Sequence, residues 1–263
     1  MNQILPVILS AGMGTRLGDK NENQPKALLE INEKKLISYQ LEKLQTLGFS
    51  EVLIVIGYKA SLIKRMLGND FHGMTIHYVL NKDFSKSGTA YSFYKAKSYW
   101  NQNKPSILML HSDIFYDLSI LDVLLTQPQC SLLVADEHYA NNTNDEMVVF
   151  ANNQTVYKVE KGPHKMQNAV GEVVGINLFL NTFCESYFTF LENFFQNNSN
   201  KKFHWEQTLK IFLENNNQCR LGYLGIEKKL WININYSADL EYARKTISDN
   251  LSNVQYFNKE KLL

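Results

Sequence analysis

The apolar residues of this chain come in two rhythms. Residues 4–9, 51–56 (EVLIVI) and 106–111 (SILMLH) are short and nearly continuous, as strands buried on both faces are. A further strand is expected at 75–80. Between the strands the spacing becomes helical. Ile37, Leu41, Leu44 and Leu47 recur at three- and four-residue steps over 36–47, and Gly48 stands where a helix-ending glycine belongs. Helices are also expected at 60–67 and 88–100. Strands and helices thus alternate, which predicts an α/β fold: a mixed, mainly parallel Rossmann-like sheet, three layers deep, with right-handed crossovers. Ligands of such sheets gather at the carboxyl ends of the strands.

The second half loses this alternation. A strand is expected at 130–136, and strands at 147–151 and 155–160 flank Asn152-Asn153-Gln154, a hairpin signal. Two amphipathic helices follow at 181–195 and 205–213, and a last one starts near Asp239. Asp145-Glu146 reads as a solvated loop.

Composition narrows the picture. The 263 residues are 44% hydrophobic, enough for one substantial domain with a small annex. A net charge of +1 argues against a nucleic acid or a membrane surface as partner. No stretch reaches the ~18 apolar residues of a membrane span, and no leader pattern precedes the first strand. Cys130, Cys184 and Cys219 are odd in number and far apart, which predicts reduced core thiols and a cytoplasmic protein.

The candidate chemistry begins where the first strand ends, at Leu9-Ser10-Ala11-Gly12-Met13-Gly14-Thr15-Arg16-Leu17-Gly18. Glycines there let main-chain N–H groups approach a phosphate, and Arg16 adds a planar, permanently charged fork. The spacing Gly12, Gly14, Gly18 fits neither the dinucleotide fingerprint nor the Walker loop. Pro25-Lys26 follows, with proline stiffening the segment that carries the lysine. Asp113 comes just after the strand 106–111, where a carboxylate can serve a metal-bound triphosphate. Alone it could equally cap a helix, as Asp117 or Ser119 could.

With these residues the chain resembles the nucleotidyltransferases that join an NTP to a sugar phosphate or a small phosphorylated alcohol. Their signature is G-x-G-[ST]-R-[LM] followed by a P-K pair, and the likeness runs from about Ile4 to Ala243. The segment from Asn81 to Tyr94 is similar to that of phosphocholine cytidylyltransferases, with Asn81 opening it and Tyr91-Ser92-x-Tyr94 closing it. Gly88-Thr89 departs from the Asn-Asn of that branch. The resemblance implies a nucleotide-binding half over about 1–115 and an acceptor-binding half over about 116–263. It implies Leu9, Ala11, Gly12, Gly14, Thr15, Arg16, Asn81, Ser87 and Gly88 at the nucleotide. It implies Lys26, Tyr91, Tyr94, Lys161 and Glu172 at the acceptor, Glu172 from a G-E-x-x-G-I segment at 171–176; His204, Trp205 and Glu206 are further candidates to border it, though core packing explains Trp205 as well.

The family's closing W-x-[DE]-I-[DN]-x-x-x-D-L segment matches 231–240, but Asn233 and Asn235 are amides where an acid completes the metal site. Asp113, Asn233 and Asn235 are therefore the implied ligands of Mg²⁺, and Asp239 belongs to the start of the last helix. The implied partners are CTP, or another NTP, and a small phosphorylated acceptor, in a monomer or homo-oligomer. Arg16, Lys26 and Asp113 are the implied catalytic residues. Sugar-1-phosphate transfer and a non-catalytic nucleotide-binding protein remain as other readings, and a redox enzyme ranks last.

Overall fold

The computed structural model describes residues 3–17, 24–126, 130–137, 146–162, 168–216 and 219–260, so Gly18 and Asp145 lie outside it. In chain order the N-terminal elements are β1 (Ile4–Ser10), β2 (Glu30–Ile31), β3 (Lys34–Lys35), α1 (Leu36–Thr46), β4 (Glu51–Ile56), α2 (Ala60–Leu67), β5 (Asp70–Phe71), β6 (Met74–Leu80), α3 (Thr89–Lys95), α4 (Lys97–Trp100), β7 (Ser106–His111), β8 (Ile114–Tyr116) and α5 (Leu118–Leu125). The C-terminal ones are β9 (Ser131–Asp136), β10 (Met147–Asn152), β11 (Thr155–Lys161), β12 (Ala169–Phe179), α6 (Asn181–Phe194), α7 (Trp205–Asn215), β13 (Leu221–Gly225), β14 (Trp231–Asn233) and α8 (Ser237–Glu260).

One sheet runs through both halves in the order β10-β11-β13-β9-β12-β7-β1-β4-β6-β5. Its pairings make β1, β4, β6, β7, β9, β10 and β13 run one way and β5, β11 and β12 the other. β12 is long enough to serve two neighbourhoods. Its start pairs with β10, Glu172 opposite Val148, and its end pairs with β7, Ile176 opposite Leu110. The β10–β12 pairing closes β10, β11, β13, β9 and β12 into a ring.

Alternate side chains fill the two faces, as a pleated strand requires. Val7, Leu9, Leu53, Val55, Ile107 and Met109 pack under α3, α6 and α7. Ile8, Ile54, Leu108 and Leu110 pack under α1, α2 and α5. A third cluster joins Leu17, Leu29 and Ile31 to Ile232, Ile234, Leu240 and Ala243, so the final helix clamps the segment after the glycine loop.

Local signals explain most boundaries. The end of α1 is a Schellman turn, with Gly48 N–H donating to Gln45 O and Phe49 N–H to Leu44 O. Asn153 and Gln154 both have positive φ, as the two-residue turn between β10 and β11 needs. The single helix expected over 88–100 is divided at Ala96 into α3 and α4. Glu146 is a correction: it is buried, not a solvated loop residue. No helix of the described residues is long and apolar enough to cross a membrane, and the three cysteines are unpaired.

β1 lies between β4 and β7, parallel to both, with Leu9 opposite Val55 and His111. The chain runs outward from β1 through β4 to β6, then returns to β7 on the other side of β1. Open α/β sheets bind ligands beyond the strand ends at such a reversal. The glycine loop and Asp113 leave the sheet there.

Candidate active site

Three stretches distant in sequence meet beyond β1 and β7. The glycine loop ends in a 3-10 turn over 15–17, closed by Leu17 N–H donating to Gly14 O at 3.2 Å. Leu17 is buried in the third cluster, while Thr15 and Arg16 face outward. A second 3-10 turn, Lys26–Leu28, starts from Pro25 at φ −59°, and buries all three of its residues. Burial of Ala27 and Leu28 in the core anchors Lys26, whose amine reaches back towards β7.

Lys26 Nζ donates to Asp113 Oδ2 at 2.9 Å and to Asn235 Oδ1 at 2.9 Å. Arg16 donates to the same Asn235 oxygen at 2.8 Å, and its guanidinium lies 5.5 Å from the ring centre of Tyr236. Burial, the largest single influence, raises the Asp113 carboxyl, but the charge and hydrogen bond of Lys26, together with His111 and a main-chain hydrogen bond, hold the group below the usual carboxylate range.

Gln40, buried on the apolar face of α1, fixes the turn that carries Asp113. Its amide donates to His111 O at 2.8 Å and to Ile114 O at 2.7 Å. β8 then pairs with β14, Ile114 opposite Asn233, and Ile234 N–H donates to Asp113 O. Asp239 accepts from the N–H groups of Asn235 and Tyr236, as expected of an acid in the first turn of the last helix. Asp117 accepts from Ser119 N–H and caps α5, so the helix does not need Asp113.

A second group faces this one. Burial lowers the His204 imidazole, helped by the positive charges of Arg16 and Lys161. Burial also pushes the Glu206 carboxyl up to about 7, with Asp113 adding to the rise and Lys161 opposing it. Those mutual fields bring Lys161, His204 and Glu206 into the electrostatic neighbourhood of Arg16 and Asp113. His111, largely desolvated, is held below its ordinary value and stays neutral.

Several expected ligand residues are used otherwise. Asn81 is fully buried, its amide donating to Ser87 Oγ and Ser92 Oγ and its oxygen accepting from Asp83 N–H. It shapes the segment and has no surface left for a nucleotide, and Ser87 is tied into the same network. A Cβ on Gly88 would lie 2.2 Å from Phe203 O, so packing against residues 201–203 explains that glycine. Tyr91, buried, and Tyr94, half-buried, pack their rings against Phe195 at the edge of the aromatic core. Trp205 is fully buried against His111 and carries no exposed face.

Gly12 behaves differently: a side chain there would meet nothing within 4 Å. Leu9 and Ala11 bury their side chains and can present only main chain. Gly57 brings Phe84 against the loop, since a Cβ on it would lie 2.6 Å from Phe84 Cβ and 2.8 Å from Ala11 O. Glu172 lies opposite Asp136 on one side and Val148 on the other. Burial, Glu146 and Asp136 push its carboxyl up to about 7.

Sequence reasoning missed Gln40, His111 and Tyr236, and it did not see that Asn235 accepts from both Arg16 and Lys26. A glutamine between Ile37, Leu41 and Leu44 on an apolar helix face was the readable signal for the first. A hard divalent cation fits the donors here. Among the described residues no three His, Cys, Asp or Glu gather into a metal cage. Asp113 offers one carboxylate, and Asn233 Oδ1 is buried without a hydrogen bond from any described residue. Mg²⁺ commonly takes one or two protein oxygens and completes its shell with phosphate and water.

The description of the nucleotidyl transferase family matches residues 5–171. The chain belongs to that family. It is 23% identical over 252 residues to the CTP:phosphoglutamine cytidylyltransferase of Campylobacter jejuni, covering 89% of this chain and 97% of that protein. It is 30% identical over 129 residues to the CMP-5'-(3-aminopropyl)phosphonate synthase of Streptomyces rubellomurinus, covering 49% of this chain and only 20% of that much longer protein. In fold it is similar to UDP-glucose pyrophosphorylase complexed with UDP-glucose, at a TM-score of 0.77 and 15% identity over 95% of this chain and all of the other.

Proposed function

We propose that this nucleotidyl transferase joins CTP to a small phosphorylated acceptor and releases pyrophosphate. The acceptor would be of the phosphocholine, phosphoglutamine or aminoethylphosphonate kind. One observation carries the reading: Arg16, Lys26 and Asp113 converge at the sheet's reversal point, where two polyanions would have to be brought together.

An acceptor phosphate oxygen attacks the α-phosphorus in line, the new P–O bond forms, and the bond to the β-phosphate oxygen breaks. The nucleophile is already an anion, so no general base is needed; the task is neutralising charge. Arg16 and the loop N–H groups would hold the triphosphate. Lys26 would stand between the α-phosphate and the acceptor, and Lys161 would hold the acceptor phosphate. Asp113 and Asn233 would hold Mg²⁺, which when bound supplies positive charge to the phosphate oxygens. His204 and Glu206, at the start of α7 and within the field of Lys161, would border the acceptor.

CTP is favoured by the two relatives whose names carry a cytidylyl group, and by the likeness of 81–94 to that branch. A sugar 1-phosphate is the second acceptor to test, because the nucleotidyl transferases similar to this chain include a heptose 1-phosphate guanylyltransferase of Campylobacter jejuni. The test is a pyrophosphate-release screen of four NTPs against phosphocholine, phosphoglutamine, aminoethylphosphonate and sugar 1-phosphates. We expect release with CTP and an aminated acceptor. Nucleotide binding without release from any pair would replace the enzyme with a binding protein.

A further inference from the structure

We infer that Asn235 is not a metal ligand but a positioning residue, the clasp that holds Arg16 and Lys26 together as one clamp for the nucleotide's phosphates. The inference rests on the nucleotidyltransferase reading above. An amide oxygen has two lone pairs. Those of Asn235 Oδ1 are taken by Arg16 at 2.8 Å and by Lys26 at 2.9 Å. No lone pair is left for a cation, and the two groups already there are cations that would repel a third.

The clasp is itself held firmly. Asn235 N–H is fixed by Asp239 at 2.9 Å, and Ile234 just before it is buried in the third cluster. Arg16 comes from the glycine loop and Lys26 from the Pro25 turn, and the Asn235 oxygen is a contact the two side chains share. Lys26 is also held by Asp113, so loss of that oxygen would fall chiefly on the placing of Arg16 beside it.

The amide also explains why a carboxylate is absent at 235. An acid there would pair with both cations and cancel the positive field that draws a triphosphate. Arg16 would then have to leave that ion pair, and Lys26 a second one besides Asp113, before meeting a phosphate. A neutral oxygen orients them and keeps their charge available. The division of labour is therefore uneven: Asn235 serves the anions, and Asn233 and Asp113 are left for the metal.

The experiment measures binding of inorganic tripolyphosphate and of CTP by calorimetry in EDTA, for wild type, Asn235→Ala and Asn235→Asp. Thermal unfolding of each variant serves as the control for folding. We expect Asn235→Ala to weaken metal-free binding about tenfold, the cost of one charge-assisted hydrogen bond. Asn235→Asp should weaken it as well, and should leave unchanged the Mg²⁺ concentration giving half-maximal turnover. If Asn235 is instead a ligand, Asn235→Ala will leave metal-free binding intact and Asn235→Asp will lower the Mg²⁺ requirement several-fold. Either of those results overturns the inference. A wild type that binds neither probe in EDTA overturns the inference alone, and one that also fails to bind CTP with Mg²⁺ overturns the nucleotidyltransferase reading with it.

Discussion

The Lys26 ammonium lies 2.9 Å from the Asp113 carboxylate, with side-chain exposures of 11% and 25%. The pair has two jobs, one structural and one catalytic, and the two separate in mutants. Removing Lys26 leaves Asp113 as a partly buried charge without its partner, a loss that destabilises the fold. Arg16 is exposed, where solvent screens its interactions, and it donates to the neutral Asn235 amide. Both variants should lose turnover by roughly 10²–10³-fold, the usual cost of a lost transition-state donor. Only Lys26→Ala should also lower the melting temperature. Near-normal turnover in either variant removes that residue from the mechanism.

The same pair predicts a pH effect. The folded Asp113 carboxyl lies below its unfolded value, so it stabilises the fold above about pH 4, and that contribution fades as pH falls further. Asp113→Asn should therefore narrow the stability difference between pH 3 and pH 6. It should also abolish turnover at ordinary Mg²⁺ concentrations, because it removes the carboxylate assigned to the metal. Melting curves across that range and a rate assay check the two halves independently. An active Asp113→Asn enzyme would sink the metal assignment.

The nucleotide half was readable from sequence because each of its strands is a local apolar run, and each helix repeats at a local period. β1, β4 and β7 needed no distant information. The site was legible where its chemistry is local, in the glycine loop, Pro25-Lys26 and Asp113. It was illegible where meaning depends on a residue far away. Asn235 could be read as an amide in place of an acid, but not as the oxygen shared by Arg16 and Lys26, which lie 219 and 209 residues distant. Tyr91 and Trp205 misled for a related reason. Aromatic residues look alike in sequence whether they line a pocket or fill a core, and only Phe195 and His111, brought by other elements, decide between them.

Glu172 predicts a stability change of opposite sign to Asp113. Its carboxyl is raised to about 7 by burial and by Glu146 and Asp136. The folded state therefore holds its proton more tightly than the unfolded chain does. Stability contributed by the protonated form is fully present below pH 4.5 and is lost as pH rises towards 7. Glu172→Gln should raise the melting temperature at pH 8 and change it little at pH 4; each kcal/mol recovered is worth about 2–4 °C. An equal shift at both pH values would mean that the carboxyl does not titrate in this window.

Asn233 offers the decisive test of the metal site, because its readout need not be activity. Its Oδ1 is buried and receives no hydrogen bond from any described residue, and it sits opposite Ile114 in the short ladder beside Asp113. Asn233→Asp would put a second carboxylate next to the first. Without metal the two repel, one of them is driven towards protonation, and the fold loses stability. Added Mg²⁺ screens that repulsion and gains a charged ligand, so affinity for the hard cation rises. The variant should melt below wild type in EDTA and recover with Mg²⁺, by more than wild type gains from the same addition. Its half-maximal Mg²⁺ concentration for CTP turnover should fall. Superimposable Mg²⁺ titrations for the two proteins, in melting and in rate, would mean that Asn233 never touches the metal, and Asp113 would then stand as its only protein ligand among the described residues.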